Sequence, residues 1–320
     1  MKFYPFELHC HTVHSDGNFT PQTLIAAAKD AGLDGIALTD HNAVSGLDEI
    51  VKVGEQNGVV VLRGTEWTTF YGHLTVLGEG LDIDWRTVNP ETVTLKAAAV
   101  RTLGGCAGIA HPCRPGYPVC TGGSDEWNIN DYGAFSHFEV WSGLSPSADI
   151  TNVFSAKRYM SLCALGTRLA CVYGRDWHRS GTGAYAATYL GVDGALTAES
   201  ALAAIKSRHT FISVGVRIDA ELIKDGERHY FFGDDVPAGR YIFKGSLSPF
   251  NLSYTQKYGV SAKKITLLNG AELCEAAINE SGEFCIAVNA KPGDCLQAEV
   301  SGIIEGERAV LSLASPFWFV

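Results

Sequence analysis

The sequence predicts an α/β fold over residues 1–215, followed over residues 216–320 by a small antiparallel, β-sandwich-like domain. Three observations predict it. Strand-like and helix-like segments alternate through the first two thirds of the chain, as a parallel sheet with helices outside it requires, whether open or closed as a barrel. Near residue 215 the texture changes to short, partly alternating runs divided by Gly, Asn, Asp and Pro. Histidines and carboxylates recur at the ends of the strand-like segments.

In chain order, "FELHCH" reads as the first strand. The helical "TPQTLIAAAKDAGL" follows, with Thr20 as N-cap and Pro21 at the first helical position. Next come the strand "GIALTDH", the helix "GLDEIVKVGEQNG" and the strand "VVVLRGTEW". Further strands are "GHLTVLG", "CAGIAHP", "FSHFEVW" and "LACVYGRDWH", with the helical "ETVTLKAAAVRTLG" and "DITNVFSAKRYMSLCALG" between several of them. In the tail, "RIDAELIKDG", "GRYIFKGSLS", "KKITLLNG", "EFCIAVNA", "CLQAEVSG" and "AVLSLASPFWFV" predict antiparallel hairpins. Turn signals in "VRIDAELIKDG" and "LLNGAEL" support that locally. No tandem repeat or low-complexity linker separates the two parts, so they are expected to pack closely.

Composition narrows the class. The chain has 320 residues, 46% hydrophobic and 19% charged, enough for a large core and against disorder. A net charge of −10 argues against an extended nucleic-acid surface. No apolar run approaches the roughly 18–20 residues of a membrane span, and "MKFYPFELHCH" lacks the pattern of a secretory signal. Nine scattered cysteines without a C-x-x-C pair read as reduced thiols, mostly filling the core, and the expected compartment is the cytoplasm.

The chemistry lies where polar residues meet strand ends. His9 and His11, two apart at the end of the first strand, share one face, and Asp176 and His178 repeat the arrangement. His41, Glu66 and His111 end their strands, His73 opens one, and Asp16 follows the first. In a parallel α/β barrel such ends gather at one mouth. Nine ligand-type side chains would then converge there: His9, His11, Asp16, His41, Glu66, His73, His111, Asp176 and His178. Imidazole and carboxylate suit Zn, Mn or Fe, and nine side chains with a bridging carboxylate can serve three ions. Cys10, between His9 and His11, faces the other way.

The segments "HCHTVHSDG", "ALTDHN", "GTEW", "GHLTVLG", "GIAHPCRP" and "GRDWH" closely resemble the motifs of the polymerase and histidinol phosphatase (PHP) domain superfamily, over about residues 5–215. The strand-rich tail looks like that of its CehA/McbA-type branch, whose members carry a C-terminal β-domain. The resemblance implies a distorted seven-stranded (β/α) barrel with three metals at its mouth. It implies one ion on His9, His11, Glu66 and Asp176, a second on Glu66, His73 and His111, and a third on Asp16, His41 and His178.

Such a centre implies hydrolysis of a small phosphorylated molecule, of nucleotide or sugar phosphate class, through a metal-bridging hydroxide. Asp176, His178 and Glu66 are its expected catalytic residues. For substrate binding, Arg114 in "HPCRP" comes first, then Arg179, with Arg158 weaker and His14 as a pocket residue. Glu139 ends a strand near the mouth. Trp67, Tyr71, Trp141 and Trp177 flank the motifs, as packing more than as stacking surfaces. "YGRDWHRSGTG" is not a phosphate-binding loop of the G-x-x-x-x-G-K-[ST] type. Two other functions remain open: hydrolysis of carboxylic or carbamate esters or amides, and a non-catalytic scaffold with structural metals. The tail is expected to cover the barrel, complete the pocket rim or mediate self-association.

Overall fold

The computed structural model of the protein describes residues 1–115, 127, 129–269 and 272–320. Cys120 and the Asn-Gly-Ala turn after Leu268 therefore lie wholly or partly outside the described residues. The eight described cysteines are free thiols.

Seven strands build the first part: β1 (Lys2–Cys10), β2 (Gly35–Leu38), β3 (Val60–Thr69), β4 (Gly72–Leu77), β5 (Cys106–Ile109), β6 (His137–Ser142) and β7 (Ala170–Gly174). Helices α1 (Pro21–Asp30), α2 (Leu47–Asn57), α3 (Val93–Thr102) and α4 (Ile150–Ala164) connect them. Thr20 caps α1 in a reciprocal capping box with Thr23 and Pro21 starts the helix, while α2 stops at Gly58 in the left-handed conformation.

Strands β1 to β3 run parallel, as do β5 to β7. Between them β4 runs antiparallel to both neighbours, because a short turn after β3 returns the chain directly. That reversal departs from the all-parallel expectation. Among the described residues no ladder joins β7 to β1; Cys10, the last residue of β1, and Trp177, past the end of β7, meet in a single bridge.

The chain continues through β8 (Ala187–Val192), α5 (Ala198–Lys206) and β9 (Thr210–Ser213). A buried cluster draws Phe6, Leu8, Ala37, Leu62, Leu77, Cys106, Ala170 and Val172 from six of the seven strands and joins them to Ala201, Ala204 and Ile205 of α5.

The tail holds β10 (Val216–Lys224), β11 (Arg228–Tyr230), β12 (Asp235–Val236), β13 (Gly239–Pro249), α6 (Leu252–Tyr258), β14 (Ser261–Asn269), β15 (Glu272–Ala277), β16 (Glu283–Ala290), β17 (Cys295–Ile304), β18 (Glu307–Ala314) and β19 (Phe317–Phe319). Strands β11, β10, β13 and β16 form an antiparallel sheet of their own. The others join the first part directly: β18 pairs with β9, so the sheet of the first part runs on into the antiparallel strands of the tail. Phe243 of the four-stranded sheet packs on Phe232 and Phe317, tying the two sheets together. Among the described residues no helix is long and apolar enough to cross a membrane.

Candidate metal centre

The reversal of β4 matters for the site. The C-terminal ends of the parallel strands lie at one edge, and an antiparallel strand brings its N-terminal end there. His73, second residue of β4, thus joins residues that follow β1, β2, β5 and β7. Glu66, mid-length in β3, is the hub. Its Oε1 lies 2.7 Å from His73 Nδ1 and 3.1 Å from His111 Nε2. Its Oε2 lies 2.9 Å from His41 Nδ1, 3.1 Å from His9 Nε2 and 3.4 Å from His11 Nε2.

Asp176 Oδ1 sits 3.2 Å from His11 Nε2 and 3.5 Å from His9 Nε2, and Asp16 Oδ1 3.1 Å from His178 Nε2. Three sets of donor atoms fall within 4.8 Å of one another: His9, His11, Glu66 and Asp176; His41, Glu66 and His73; and His11, Asp16, His41 and His178. Relative to the allocation implied by resemblance, His11 joins the third set, and His41 stands with His73 where His111 was expected.

Many of these contacts are close without being hydrogen bonds. His9 Nε2, both ring nitrogens of His11, Glu66 Oε2, His73 Nε2, His111 Nδ1 and Asp176 Oδ1 are buried with no hydrogen-bond partner. Leaving so many polar atoms unsatisfied in one place is costly unless a cation lies between them. Borderline nitrogen and hard oxygen donors at this spacing fit Zn, Mn or Fe. Burial favours neutral Glu66 and neutral Asp176. The histidines around them outweigh it, His9 foremost for both, and hold both carboxyls well below the usual range. Burial likewise works against a charged His9, but the carboxylates of Glu66, Glu139 and Asp176 raise it well above the usual imidazole value. The cluster attracts positive charge.

Residues outside the three donor sets hold the cluster in shape. Glu139 Oε1 lies 2.7 Å from His9 Nδ1, which turns His9 Nε2 toward Glu66, and its Oε2 accepts the His111 backbone N–H at 2.6 Å. Asp40 accepts from the Thr12 N–H (2.7 Å), the Thr12 hydroxyl (2.6 Å) and the Ser15 hydroxyl (2.7 Å), and so clamps the loop that carries His11 and Asp16. In that loop Gly17 passes so close to the His11 carbonyl that a Cβ would lie 2.4 Å from its oxygen. His111 and Asp176 have positive φ, +26° and +56°, a strained backbone that the surrounding contacts enforce. Sequence reasoning missed the Asp40 clamp, for which "TDH" gave only adjacency to His41. Glu139→Gln is expected to weaken metal binding about 10–100-fold while the protein still folds, read by metal titration of stripped protein.

Of the expected substrate-binding residues, Arg114 donates to Asp176 Oδ2 (2.6 Å) and the Ser142 hydroxyl (2.8 Å), at the edge of the cluster. Arg179 is exposed and lines a cavity of about 430 Å³ with Asp16, Asp176 and His178. His14 turns toward α2, 2.9 Å from Ser45 Oγ and 3.9 Å from Glu49. Arg158 bonds the Tyr132 hydroxyl. Trp67, Trp141 and Trp177 are buried. His137 bonds Thr75, and burial pushes it down to about 3, so it is neutral and structural.

Residues 7–101 match the family model of the PHP domain. An uncharacterized protein of Methanocaldococcus jannaschii is 32% identical over 120 residues, covering 34% of this chain and 68% of that protein. A 3',5'-nucleoside bisphosphate phosphatase of Chromobacterium violaceum is 40% identical over 80 residues, 24% of this chain and 27% of that enzyme. The chain spans less than a third of the length of the curated enzymes it matches. Among solved structures, a two-domain protein of Bacteroides vulgatus, described as containing a predicted PHP-like metal-dependent phosphoesterase, aligns over 99% of this chain and 95% of its own. The TM-score is 0.54 at 14% identity, a likeness of fold.

Proposed function

The chain belongs to the PHP domain family, and from that premise we propose that it is a metal-dependent phosphoesterase acting on a small phosphorylated molecule, of nucleotide or sugar phosphate class. The observation that carries the proposal is the convergence of nine histidines and carboxylates, Glu66 at their centre, six of which keep a buried polar atom unsatisfied, with the Arg114 guanidinium beside them. In this reading each set of donors described above would hold one ion, Glu66 belonging to two of the sets and His111 standing beside it. Divalent Mn, Fe or Zn bound there supplies Lewis-acid charge for the phosphoryl oxygens and activates water at neutral pH.

The chain's own residues do the rest. Arg114, anchored by Ser142 and Asp176, presents planar donors to a phosphate oxygen. Asp176, between Arg114 and the histidines, is the carboxylate placed to take a proton from the attacking water. The His178 ring is fixed through Nδ1, 2.9 Å from the Asp176 carbonyl, so that Nε2 faces the cluster. Residues 216–320 act as an accessory region: Tyr254 and Tyr258 of α6 bond the backbone at Tyr185 and Gly183, in the segment between the Asp176 motif and β8.

The test is phosphate release from a panel of monoesters, diesters and nucleotides, using chelator-stripped protein reloaded with Mn. Turnover is expected in the wild type and absent in His9→Ala and Asp176→Ala. Arg114→Ala should lose roughly 10–100-fold in kcat/KM. A blank phosphate panel, with aryl esters or carbamates hydrolysed and that activity indifferent to Arg114→Ala, would replace this reading with carbonyl-ester hydrolysis.

A further inference from the structure

Asp176 and His178 project toward the cluster, but the residue before Asp176 goes elsewhere. Arg175 is only 9% exposed. Its guanidinium lies over the ring of Trp177 at 4.4 Å and the ring of Tyr185 at 5.4 Å. Among the described residues it has neither a carboxylate partner nor a side-chain hydrogen bond; the nearby Glu7 carboxylate is engaged by the Arg175 backbone N–H instead, at 2.8 Å. The two cation–π contacts and the field of the nearby Glu7 carboxylate hold the guanidinium in place without taking up its N–H groups, which are left to face the space beside them.

The head of this arginine reaches a cavity. Arg175 lines the same space of about 430 Å³ as Asp16, Asp176 and His178, with Arg179 and Gly181 alongside. A Cβ on Gly181 would lie 3.6 Å from Arg175 Nη2, which sets the guanidinium against that wall. The volume is in the range of small-molecule sites. One side of the cavity thus carries metal-ligand types and the other an unpaired, pre-oriented cation. The segment that continues from Gly181 is fixed by the tail: Tyr254 Oη accepts the Tyr185 N–H at 2.8 Å and donates to its carbonyl at 2.7 Å, and Tyr258 bonds the Gly183 carbonyl at 2.8 Å.

We propose that Arg175 forms a second anion site beside the metal cluster, so that the substrate carries another anionic group, phosphate or carboxylate, in addition to the phosphate that is cleaved. The substrate part of this rests on the phosphoesterase reading; the anion site does not. Two measurements separate them. Chelator-stripped protein titrated with sulfate by calorimetry should bind it, and Arg175→Met should weaken that binding roughly tenfold or more. Arg175→Lys, which keeps the charge but not the planar fork, should fall between, and serves if the methionine variant does not fold.

With Mn-loaded protein, the ratio of kcat/KM for adenosine 3',5'-bisphosphate or 3-phosphoglycerate to that for 4-nitrophenyl phosphate should drop about tenfold or more in the variants, through KM. The substrate whose ratio falls tells whether the second group is phosphate or carboxylate. Absence of sulfate binding in the wild type, or sulfate affinity and substrate ratios unmoved by both substitutions, overturns the proposal. Sulfate binding that depends on Arg175, in a protein that hydrolyses none of the three phosphates, upholds the anion site and removes the phosphoesterase reading instead.

Discussion

Glu66→Gln is expected to strip the centre of most of its metal and to abolish turnover. Among the described residues no other side chain meets five histidines, and it does so with two oxygens at 2.7–3.4 Å. Glutamine preserves shape but not charge, and its amide presents a donor where several imidazoles already point. Loss of an orienting partner one shell out typically costs about 10–100-fold, so loss of the shared carboxylate should exceed that. Elemental analysis of the purified variant checks the metal, and the phosphate panel checks the activity. A variant that keeps its full metal complement would show that Glu66 does not hold the centre.

Gly174→Ala tests the layer beneath. A Cβ there would lie 1.9 Å from Glu139 Oε1 and 2.6 Å from His9 Cβ. Neither neighbour can retreat easily: Glu139 is bonded to His9 and to the His111 N–H, and His9 is fully buried on β1. One methyl group should therefore destabilise the protein by about 1–3 kcal/mol, visible as a lower denaturant midpoint. Because the displaced group orients His9, metal affinity should fall as well. An alanine variant with unchanged stability and unchanged metal affinity would mean that β6 and β7 can separate to accommodate the methyl group.

Much of the site was legible because its signal is local. Strand alternation alone places His9 with His11, and a strand end is recognisable without knowing its neighbours. His73 was harder. It opens a strand, and only the reversal of β4, a property of the turn after Thr69, brings it to the same edge as the others. Asp40 and Arg175 were illegible for a different reason: one acts through hydrogen bonds to a loop 25–28 residues earlier, the other through the lack of a partner. Neither leaves a spacing pattern.

The fold shows the same division. The six strand runs singled out in the tail are strands, whereas α6 passed unnoticed. Its caps were present, Asn251 before it and Gly259 after it in the left-handed conformation, but "LSYTQKY" has no apolar stripe to announce a helix. The pairing of β9 with β18 joins residues about a hundred positions apart, which no local pattern encodes.

That pairing has a consequence for the order of events during synthesis. A nascent chain of 215 residues already contains all nine ligand-type side chains. It does not yet contain Ser315, whose hydroxyl accepts the Cys171 N–H at 2.9 Å in β7 and lies 2.8 Å from the Thr210 hydroxyl. Nor does it contain β18, which completes the edge of β9. Contacts so distant along the chain form late. The strand that delivers Asp176 and His178 thus gains its last supports from residues made well over a hundred positions after it, so the ligand set is written into the chain before the contacts that finish its scaffold.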